Sequence, residues 1–344
     1  MGAWYIESGP EADVVISSRV RLARNFSNYP FPFRMTKEQE KKVLAEATDA
    51  VLNGNSAISK DFVFVDIQTL NPIERQIMVE KHLVSPQLAE GQRTSGALVS
   101  RDEKISIMVN EEDHLRIQCL FPGFQIEKAW DLCNKLDTLL EERIDMAFDS
   151  HFGYLTCCPT NIGTGIRASA MLHLPALMMT GYIRSILEAC SKMGVAVRGL
   201  YGENTEASGN MFQISNQVTL GQDEEEIIAG ITNITSQIIE QERMLRNELY
   251  KQNPFRFEDK VQRSLGALKH SRIMSSEEAM KLLSDVRLGV DMGIIKNING
   301  ETLNEIILVS QSASLQKSVG KQLTPDERDI KRAELIRNKL KLAD

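Results

Sequence analysis

The sequence is poor in the residues that mark several large classes of protein. Its five cysteines are too few for a disulfide framework in a chain of 344 residues, which favours a reducing cytoplasm. The formal net charge of -7 leaves no excess of lysine and arginine for a nucleic-acid surface. The uncharged stretch of the most apolar region, residues 168–183, is too short to cross a bilayer. We therefore expect a cytoplasmic protein that binds neither nucleic acid nor membranes.

The sequence also lacks a secretory signal and the P-loop motif for nucleotide binding. The first ten residues carry Glu7 and lack a basic start followed by an apolar core, so a secretory signal is not predicted. No G-x-x-x-x-G-K-[ST] motif occurs, which excludes a P-loop enzyme. The segment Gly163–Ala168 fits a loose dinucleotide fingerprint, but the bulky Arg167 and the lack of an early strand-turn-helix unit disfavour a nicotinamide enzyme.

Apolar periodicity predicts interleaved strands and helices over most of the chain. Thr36 and Gln39 form a capping-box pattern that predicts a helix over 37–52. Spacings of three and four predict further helices over 126–140, near 167–192, and over 227–249. Short apolar runs predict strands at 62–67, 97–100, 105–109, 114–121, 153–158, 195–201 and 211–220. The dipeptide Asn253-Pro254 breaks the pattern, and everything after it looks helical.

Five arginines lie at strand ends or polar turns rather than on solvated helix faces. They are Arg19, Arg21, Arg116, Arg167 and Arg198. Arg19 and Arg21 alternate along an extended segment, so both side chains point to the same face and form a candidate clamp for an anion. Each arginine taken alone is also compatible with a surface ion pair.

Two acidic positions lie beside these arginines. Glu112 occurs in Asn110-Glu111-Glu112-Asp113-His114-Leu115-Arg116, and Glu203 follows Arg198-Gly199. Acidic residues in turns are usually only solvated. Next to arginines that bind phosphate, however, they would lie beside a phosphoryl group in transfer.

These motifs together resemble the phosphagen kinases, the family of arginine kinase and creatine kinase. Four motifs occur in the family's order: Ser17-Ser18-Arg19-Val20-Arg21, Asn110 through Arg116, Cys158-Pro159-Thr160-Asn161-Ile162-Gly163-Thr164, and Arg198-Gly199 through Glu206. The resemblance spans roughly residues 15–245. It is greatest to the bacterial protein arginine kinases, where it continues through the C-terminal region.

The resemblance implies an α+β fold with two domains. Residues 1–253 are expected to form a phosphagen-kinase-like catalytic domain with an antiparallel sheet flanked by helices. Residues 254–344 are expected to form a smaller all-helical domain for oligomerisation and for docking of phosphoarginine or substrate.

The resemblance also implies that ATP is the phosphoryl donor. The expected nucleotide site comprises Ser17, Ser18, Arg19, Val20, Arg21, His82, Arg116, Arg167, Ala168, Ser169, Ala170, Met171, Arg198, Gly199, Leu200, Tyr201 and Gly202. His82 would lie against the nucleoside, although a purely structural role for it is an open alternative. Mg²⁺ would be held mainly by phosphate oxygens and water, so no dedicated protein ligands to the metal are expected.

The acceptor is expected to be a guanidino group. A free guanidinium has a pKa above about 12, so its nitrogen cannot attack until a proton is removed. Glu112 and Glu203 would hold the planar group through paired hydrogen bonds, and one of them would accept the proton. Cys158 aligns with the family's reactive cysteine, which lies close to the guanidino group as a thiolate, whereas Cys157 is better explained as a small buried residue.

The small-molecule kinases of the family carry a preceding helical domain, of the roughly hundred residues typical of an independent domain. Here Arg19 lies near the start of the chain, so we expect an open site that accepts arginine side chains of other proteins. The alternatives are a kinase for free arginine or another small guanidine, and a non-catalytic adaptor that binds phosphorylated proteins.

The final predicted helix carries a second candidate site. Arg328, Asp329 and Arg332 are spaced to recognise a phosphoarginine, which the resemblance implies as an allosteric product site, although a plain surface helix explains them equally well. The resemblance further implies a homo-oligomer, a dimer or higher, with a role in stress response and protein quality control. Its implied partners are a zinc-finger activator, a stress-gene repressor and a Clp unfoldase.

Overall fold

The computed structural model describes residues 4–54, 57–199 and 208–342. Within these ranges the strands are β1 (Val15–Arg24), β2 (Phe62–Asp66), β3 (Gly96–Ser100), β4 (Ile105–Val109), β5 (Leu115–Pro122), β6 (Phe148–Asp149), β7 (Gly153–Tyr154), β8 (Ile166–His173), β9 (Val195–Gly199) and β10 (Met211–Asn216). The helices are α1 (Lys37–Leu52), α2 (Pro72–Glu80), α3 (Pro86–Glu90), α4 (Ile126–Glu141), α5 (Pro175–Thr180), α6 (Ile183–Lys192), α7 (Glu224–Gln252), α8 (Pro254–His270), α9 (Ser276–Asp291), α10 (Gly300–Val309), α11 (Ser312–Val319) and α12 (Pro325–Leu342).

Eight of the described strands form one sheet in the order β2-β3-β4-β5-β1-β8-β10-β9, and β6 pairs with β7 in a separate ribbon. Every neighbouring pair in the large sheet is antiparallel. β1 lies between β5 and β8, with Arg21 opposite Gln118 on one side and opposite Arg167 on the other. The motifs predicted to bind phosphate are thereby brought onto adjacent strands.

The side chains of β1 alternate between two different environments. Val20 and Leu22 are fully buried in the core between the sheet and helices α4 and α7. Arg24 points to the same side, where its Nε and Nη2 donate to Asp137 of α4 at 2.6–3.1 Å. Arg19 and Arg21 point to the opposite face of the sheet. The hydrophobic side of β1 therefore fixes the direction in which these two cations project.

Helix predictions based on capping signals are confirmed. Thr36 accepts from the backbone N–H of Gln39, and the Gln39 side chain accepts from the N–H of Thr36, so the capping box is complete and α1 covers 37–52 as expected. α7 begins with a second capping box at Asp223. The strands predicted at 97–100 and 105–109 are confirmed as β3 and β4, which pair with each other.

The helix predicted near 167–192 is wrong in its first part. Residues Ile166–His173 form β8, and helical structure begins only at Pro175. The side chains Ala168, Ala170 and Leu172 are buried in the core while Arg167 and Met171 face the other way, which is the two-residue period of a strand. The strand predicted at 153–158 is likewise reduced to Gly153–Tyr154, which pairs with β6 and, through Tyr154, with Gly163.

Helices α8 to α12 form a separate helical region with its own hydrophobic cluster, which includes Phe257, Leu283, Leu303 and Ile336. Asn253 links it to α7, and the Asn253 side chain caps α8 by accepting from the N–H of Arg256. The expected α+β class with a helical C-terminal region is confirmed. No helix in the described parts of the chain is long and apolar enough to cross a bilayer.

Candidate active site

A cleft of about 570 Å³ opens on the face of the sheet opposite α4. Arg19, Arg21 and Arg116 line it, together with Ser17 and Ser169. The two remaining arginines of the predicted cluster lie on the same face, because Arg167 is the direct cross-strand neighbour of Arg21 and Arg198 is the neighbour of Gln213. The structure therefore brings all five predicted arginines to one face of the sheet.

The crowding of cations changes the acidity of these side chains. Burial lowers the pKa of Arg19 to about 10, and repulsion from Arg116 and Arg167 acts in the same direction. Burial and the same repulsion lower the pKa of Arg21 well below its usual value. The pKa of Arg167 is lowered by burial and by Arg198. An anion bound among these groups would stabilise the charged form of the buried arginines and reduce the repulsion between them.

Arg19 and Arg21 have few compensating protein groups. Arg19 donates from Nη2 to Oε1 of Gln213 at 2.9 Å. Arg21 Nε is buried without a hydrogen-bond partner among the described residues. A buried donor left unpaired costs about 1–3 kcal/mol, so an arrangement of this kind is typical of a binding site rather than of a structural ion-pair network.

Four residues predicted at the nucleotide site do not face the cleft. Val20, Ala168 and Ala170 are in the core, and the buried Ser18 donates from Oγ to the carbonyl of Gly123. Strand alternation is the reason, because each of the four lies between residues whose side chains point to the cleft face of the sheet. Ser169 and Met171, by contrast, both line it.

Arg116 is held by two neighbouring glutamates. Its Nη1 pairs with buried Glu111 at 2.6 Å, and its Nη2 donates to Oε2 of Glu112 at 3.0 Å. Glu111 also accepts from the Ser85 hydroxyl. Glu111 was not predicted as a positioning residue, although its place beside Glu112 and five residues before Arg116 was the available signal.

Glu112 lies beside the arginine cluster, close to Arg116 and Arg167. Burial raises its pKa, and Asp113 and Glu111 act in the same direction, while Arg116 and Arg167 oppose the shift. A carboxylate with a raised pKa is a stronger base than an ordinary glutamate. Its predicted partner Glu203 lies outside the described residues, as do Leu200, Tyr201 and Gly202.

The loop that carries Cys158 is hydrogen-bonded to the turn between β4 and β5. Asp113 accepts from the Asn25 side chain and from the backbone N–H of Cys157, both at 2.7 Å. Burial and Asp113 raise the pKa of the Cys157 thiol, which agrees with a structural role for it. Cys158 is half-buried, and its Sγ lies 3.0 Å from the Thr160 hydroxyl. An electrostatic interaction with Cys158 opposes the lowering of the Arg167 pKa, which places this sulfur near the arginine cluster.

His82 lies on the wall of the cleft. It has a left-handed backbone, with a φ of 57°, and its carbonyl accepts from the Gln118 side chain at 2.7 Å. Burial, helped by Arg19, lowers its pKa to about 4, so the ring is neutral at physiological pH. A neutral ring beside the cleft suits contact with an uncharged part of a ligand.

The glycines at 163 and 165 serve a close turn rather than a dinucleotide fingerprint. They lead into strand β8, whereas the fingerprint requires a helix at that place. Gly163 has a φ of 108°, and a Cβ there would lie 2.1 Å from the carbonyl oxygen of Thr219. The arrangement gives no support to a nicotinamide site.

The C-terminal candidates are distributed differently. Arg332 is buried, and its guanidinium donates to the carbonyls of Ser310 and Met274 and to Asp329 at 2.5–3.0 Å. Arg328 is half-buried and forms no side-chain hydrogen bond within the described ranges. A phosphoarginine site here stays a prediction, and it would have to compete with the internal contacts of Arg332. Within the described part of the chain, no three His, Cys, Asp or Glu side chains are grouped in a way that could hold a metal ion.

The fold defines the class of protein first. The crystal structure of lombricine kinase superposes with a TM-score of 0.62 at 21% identity, covering 70% of this chain and 69% of that one. The substrate-free duplicated taurocyamine kinase from Schistosoma mansoni superposes with a TM-score of 0.60 at 23% identity, over 72% of this chain and 36% of that one. At these identities the likeness concerns the fold, which is that of a phosphagen kinase.

Sequence comparisons define the family. Residues 42–245 match the ATP:guanido phosphotransferase C-terminal catalytic domain, and residues 254–344 match the protein-arginine kinase McsB C-terminal domain. A protein-arginine kinase of Caldanaerobacter subterraneus is 52% identical over 96% of this chain and 98% of its own length. That of Bacillus subtilis is 46% identical over 99% and 94%. The chain therefore belongs to the ATP:guanido phosphotransferase family, in its group of protein-arginine kinases.

Proposed function

We propose that this chain transfers the γ-phosphoryl group of ATP to a guanidino nitrogen of arginine side chains in other proteins. The observation that carries the proposal is the crowding of the buried Arg19 and Arg21 with Arg116 and Arg167, two arginines that in turn lie close to Glu112, whose pKa is raised. Catalysis of phosphoryl transfer consists mainly of alignment and charge neutralisation, and this arrangement supplies both.

The arginines act on the phosphate chain of ATP. Arg19, Arg21 and Arg116 line the cleft and bind phosphate oxygens, and Arg167 and Arg198 continue the positive surface toward the acceptor. When bound, Mg²⁺ would neutralise further phosphate charge, and phosphate oxygens and water would be its main ligands. Glu111 acts indirectly, because its ion pair fixes the direction of Arg116.

Glu112 acts on the acceptor. The guanidinium must lose a proton as its nitrogen attacks phosphorus, and a base of raised pKa competes better for that proton. Glu203 is proposed to grip the other edge of the guanidinium, and Cys158, near Arg167, to stabilise its charge as a thiolate. These roles of Glu203 and Cys158 rest on the family's motifs.

The relatives favour a protein acceptor over free arginine, because they match nearly the whole chain and are named protein-arginine kinases. A kinase for a small guanidine is the second candidate, favoured by the likeness in fold to lombricine kinase. The chain would transfer the same group by the same chemistry in either case, so only the acceptor separates the two.

The decisive experiment compares acceptors directly. Purified protein is incubated with ATP and Mg²⁺ and with either an arginine-containing protein or free arginine, and acid-labile phosphoarginine is detected by mass spectrometry at neutral pH. We expect phosphorylated protein and little phosphorylated free arginine. Glu112→Gln should abolish transfer, whereas Glu127→Gln, a matched change at an exposed position of α4, should not. Efficient modification of free arginine alone would refute the protein acceptor.

Several finer features stay proposals. A homo-oligomer, a phosphoarginine site at Arg328, Asp329 and Arg332, a cytoplasmic location and a role in stress response come from the family resemblance. The same is true of the partners, namely a zinc-finger activator, a stress-gene repressor and a Clp unfoldase. Loss of transfer with retained binding of phosphorylated protein in Glu112→Gln would separate catalysis from a non-catalytic adaptor role.

A further inference from the structure

The cleft extends beyond the catalytic sheet. Part of its wall is formed by the C-terminal helices, which contribute Met280 from α9, Asn304, Ile307 and Leu308 from α10, and Gln311 just before α11. Met171 and Met211 of the sheet lie on the same cleft. The wall is thus apolar with a few polar groups, which is the usual lining of a pocket for a small organic molecule. Flexible methionines adapt well to a flat ring.

A specific interaction fixes these helices against the cleft. The Glu80 carboxylate, at the end of α2, accepts from the backbone N–H groups of Ala313 and Ser314 at 2.7 and 2.8 Å and from the Ser314 hydroxyl at 2.7 Å. A carboxylate of the catalytic region therefore caps the first turn of α11. The position of Gln311 on the wall depends on this cap.

Asn304 is oriented by a buried arginine. Arg287 donates from Nη1 to Oδ1 of Asn304 at 2.7 Å and from Nη2 to the carbonyl of Ala12 at 2.9 Å. Because the arginine can only donate, the oxygen of the Asn304 amide must face it, and this fixes the amide assignment. The Nδ2 group of Asn304 has no acceptor within the described ranges, although the residue lines the cleft.

We propose that the C-terminal helices build the nucleoside half of the ATP site, with Asn304 donating from Nδ2 to an acceptor atom of the base or ribose. The inference rests on the proposed use of ATP, whose phosphates would occupy the arginine end. The base would lie against Met280, Ile307 and Leu308, opposite the sheet. Nucleotide affinity would then depend on helices of the C-terminal region as well as on the arginine-bearing sheet.

The test uses the full-length protein and two ligands, ATP and inorganic tripolyphosphate, with binding measured by isothermal titration calorimetry. Asn304→Asp keeps the acceptor for Arg287 but removes the donor to the nucleoside. It also adds a negative charge, which acts on the phosphates of both ligands, so the quantity compared is the ratio of the ATP affinity to the tripolyphosphate affinity. Loss of one hydrogen bond predicts that this ratio falls by roughly threefold to tenfold. Leu308→Trp, which fills the apolar end, should weaken ATP binding further and spare tripolyphosphate. Glu301→Gln, an exposed change on α10, is the matched control.

The outcomes separate this inference from the proposed function. If the unmodified protein binds neither ligand, the proposed use of ATP fails and this inference fails with it. If the unmodified protein binds ATP but both variants bind it equally well, only the nucleoside role of α10 is refuted. Parallel loss of ATP and tripolyphosphate in the folded variants, checked by circular dichroism, would also refute it, because the helices would then act only by supporting the sheet.

Discussion

Replacement of Arg21 by methionine separates the effect of the arginine cluster on folding stability from its effect on ATP binding. Arg21 has a lowered pKa, so the folded state disfavours its charge, and its Nε makes no hydrogen bond among the described residues. Methionine has a similar length and no charge. We therefore expect Arg21→Met to unfold at the same or a higher urea concentration than the unmodified protein when no ligand is present.

With ATP the order should reverse. A hydrogen bond to a charged group contributes about 1.5–3 kcal/mol, which corresponds to a loss of roughly tenfold to 150-fold in ATP affinity. At an ATP concentration one hundred times the original Kd, the ligand stabilises the unmodified protein by about 2.7 kcal/mol. The same concentration would stabilise Arg21→Met by only about 0.3–1.3 kcal/mol, by the same relation.

The assay is urea unfolding with and without ATP, supported by calorimetric measurement of Kd. Arg263→Met is the matched control, because Arg263 is exposed on α8 far from the cleft lining. The reasoning is refuted if Arg21→Met is clearly less stable without ligand, or if ATP stabilises it as much as it does the unmodified protein.

Three further predictions concern other groups. Transfer should decline at acidic pH, and from a higher pH than an ordinary glutamate would give, because protonation of Glu112 removes the base and its folded pKa is raised; a pH–rate profile measures this, and a profile flat through the acidic range contradicts it. Asp137→Asn leaves the Arg24 charge buried, which predicts a loss of about 3–5 kcal/mol in the free energy of unfolding, and a loss below 1 kcal/mol would contradict it. Gly163→Ala should destabilise the protein, because its Cβ would meet the Thr219 carbonyl and its φ is positive; an unchanged melting temperature would argue against that contact.

The sequence was most informative where local chemistry decides the structure. The capping box at Thr36 marked the start of α1, because a cap involves residues only three positions apart. The alternation of Arg19 and Arg21 predicted their common face for a similar reason. β8 was missed because its apolar residues run on directly into α5, and a short apolar run does not by itself distinguish a strand from a helix.

Interactions between distant parts of the chain could not be predicted from the sequence. Gln213, which accepts from Arg19, is nearly two hundred positions away along the chain, and the Glu80 cap on α11 joins residues still further apart. The role of Arg332 also depends on tertiary structure, since its carbonyl partners Ser310 and Met274 come from two other segments. For these residues the side-chain type indicated that a polar interaction would form, but the sequence did not indicate the partner.

The two-sided use of β1 restricts how the length of this strand can change. Deleting or inserting one residue before Arg19 within the strand would slip its pairing and turn Arg19 and Arg21 toward α4, while Val20 and Leu22 would turn toward the cleft. The two arginine charges would then be buried in the hydrophobic core, and the proposed phosphate contacts would be lost. Single-codon deletions inside this segment should be far more harmful than deletions in the loops that flank it.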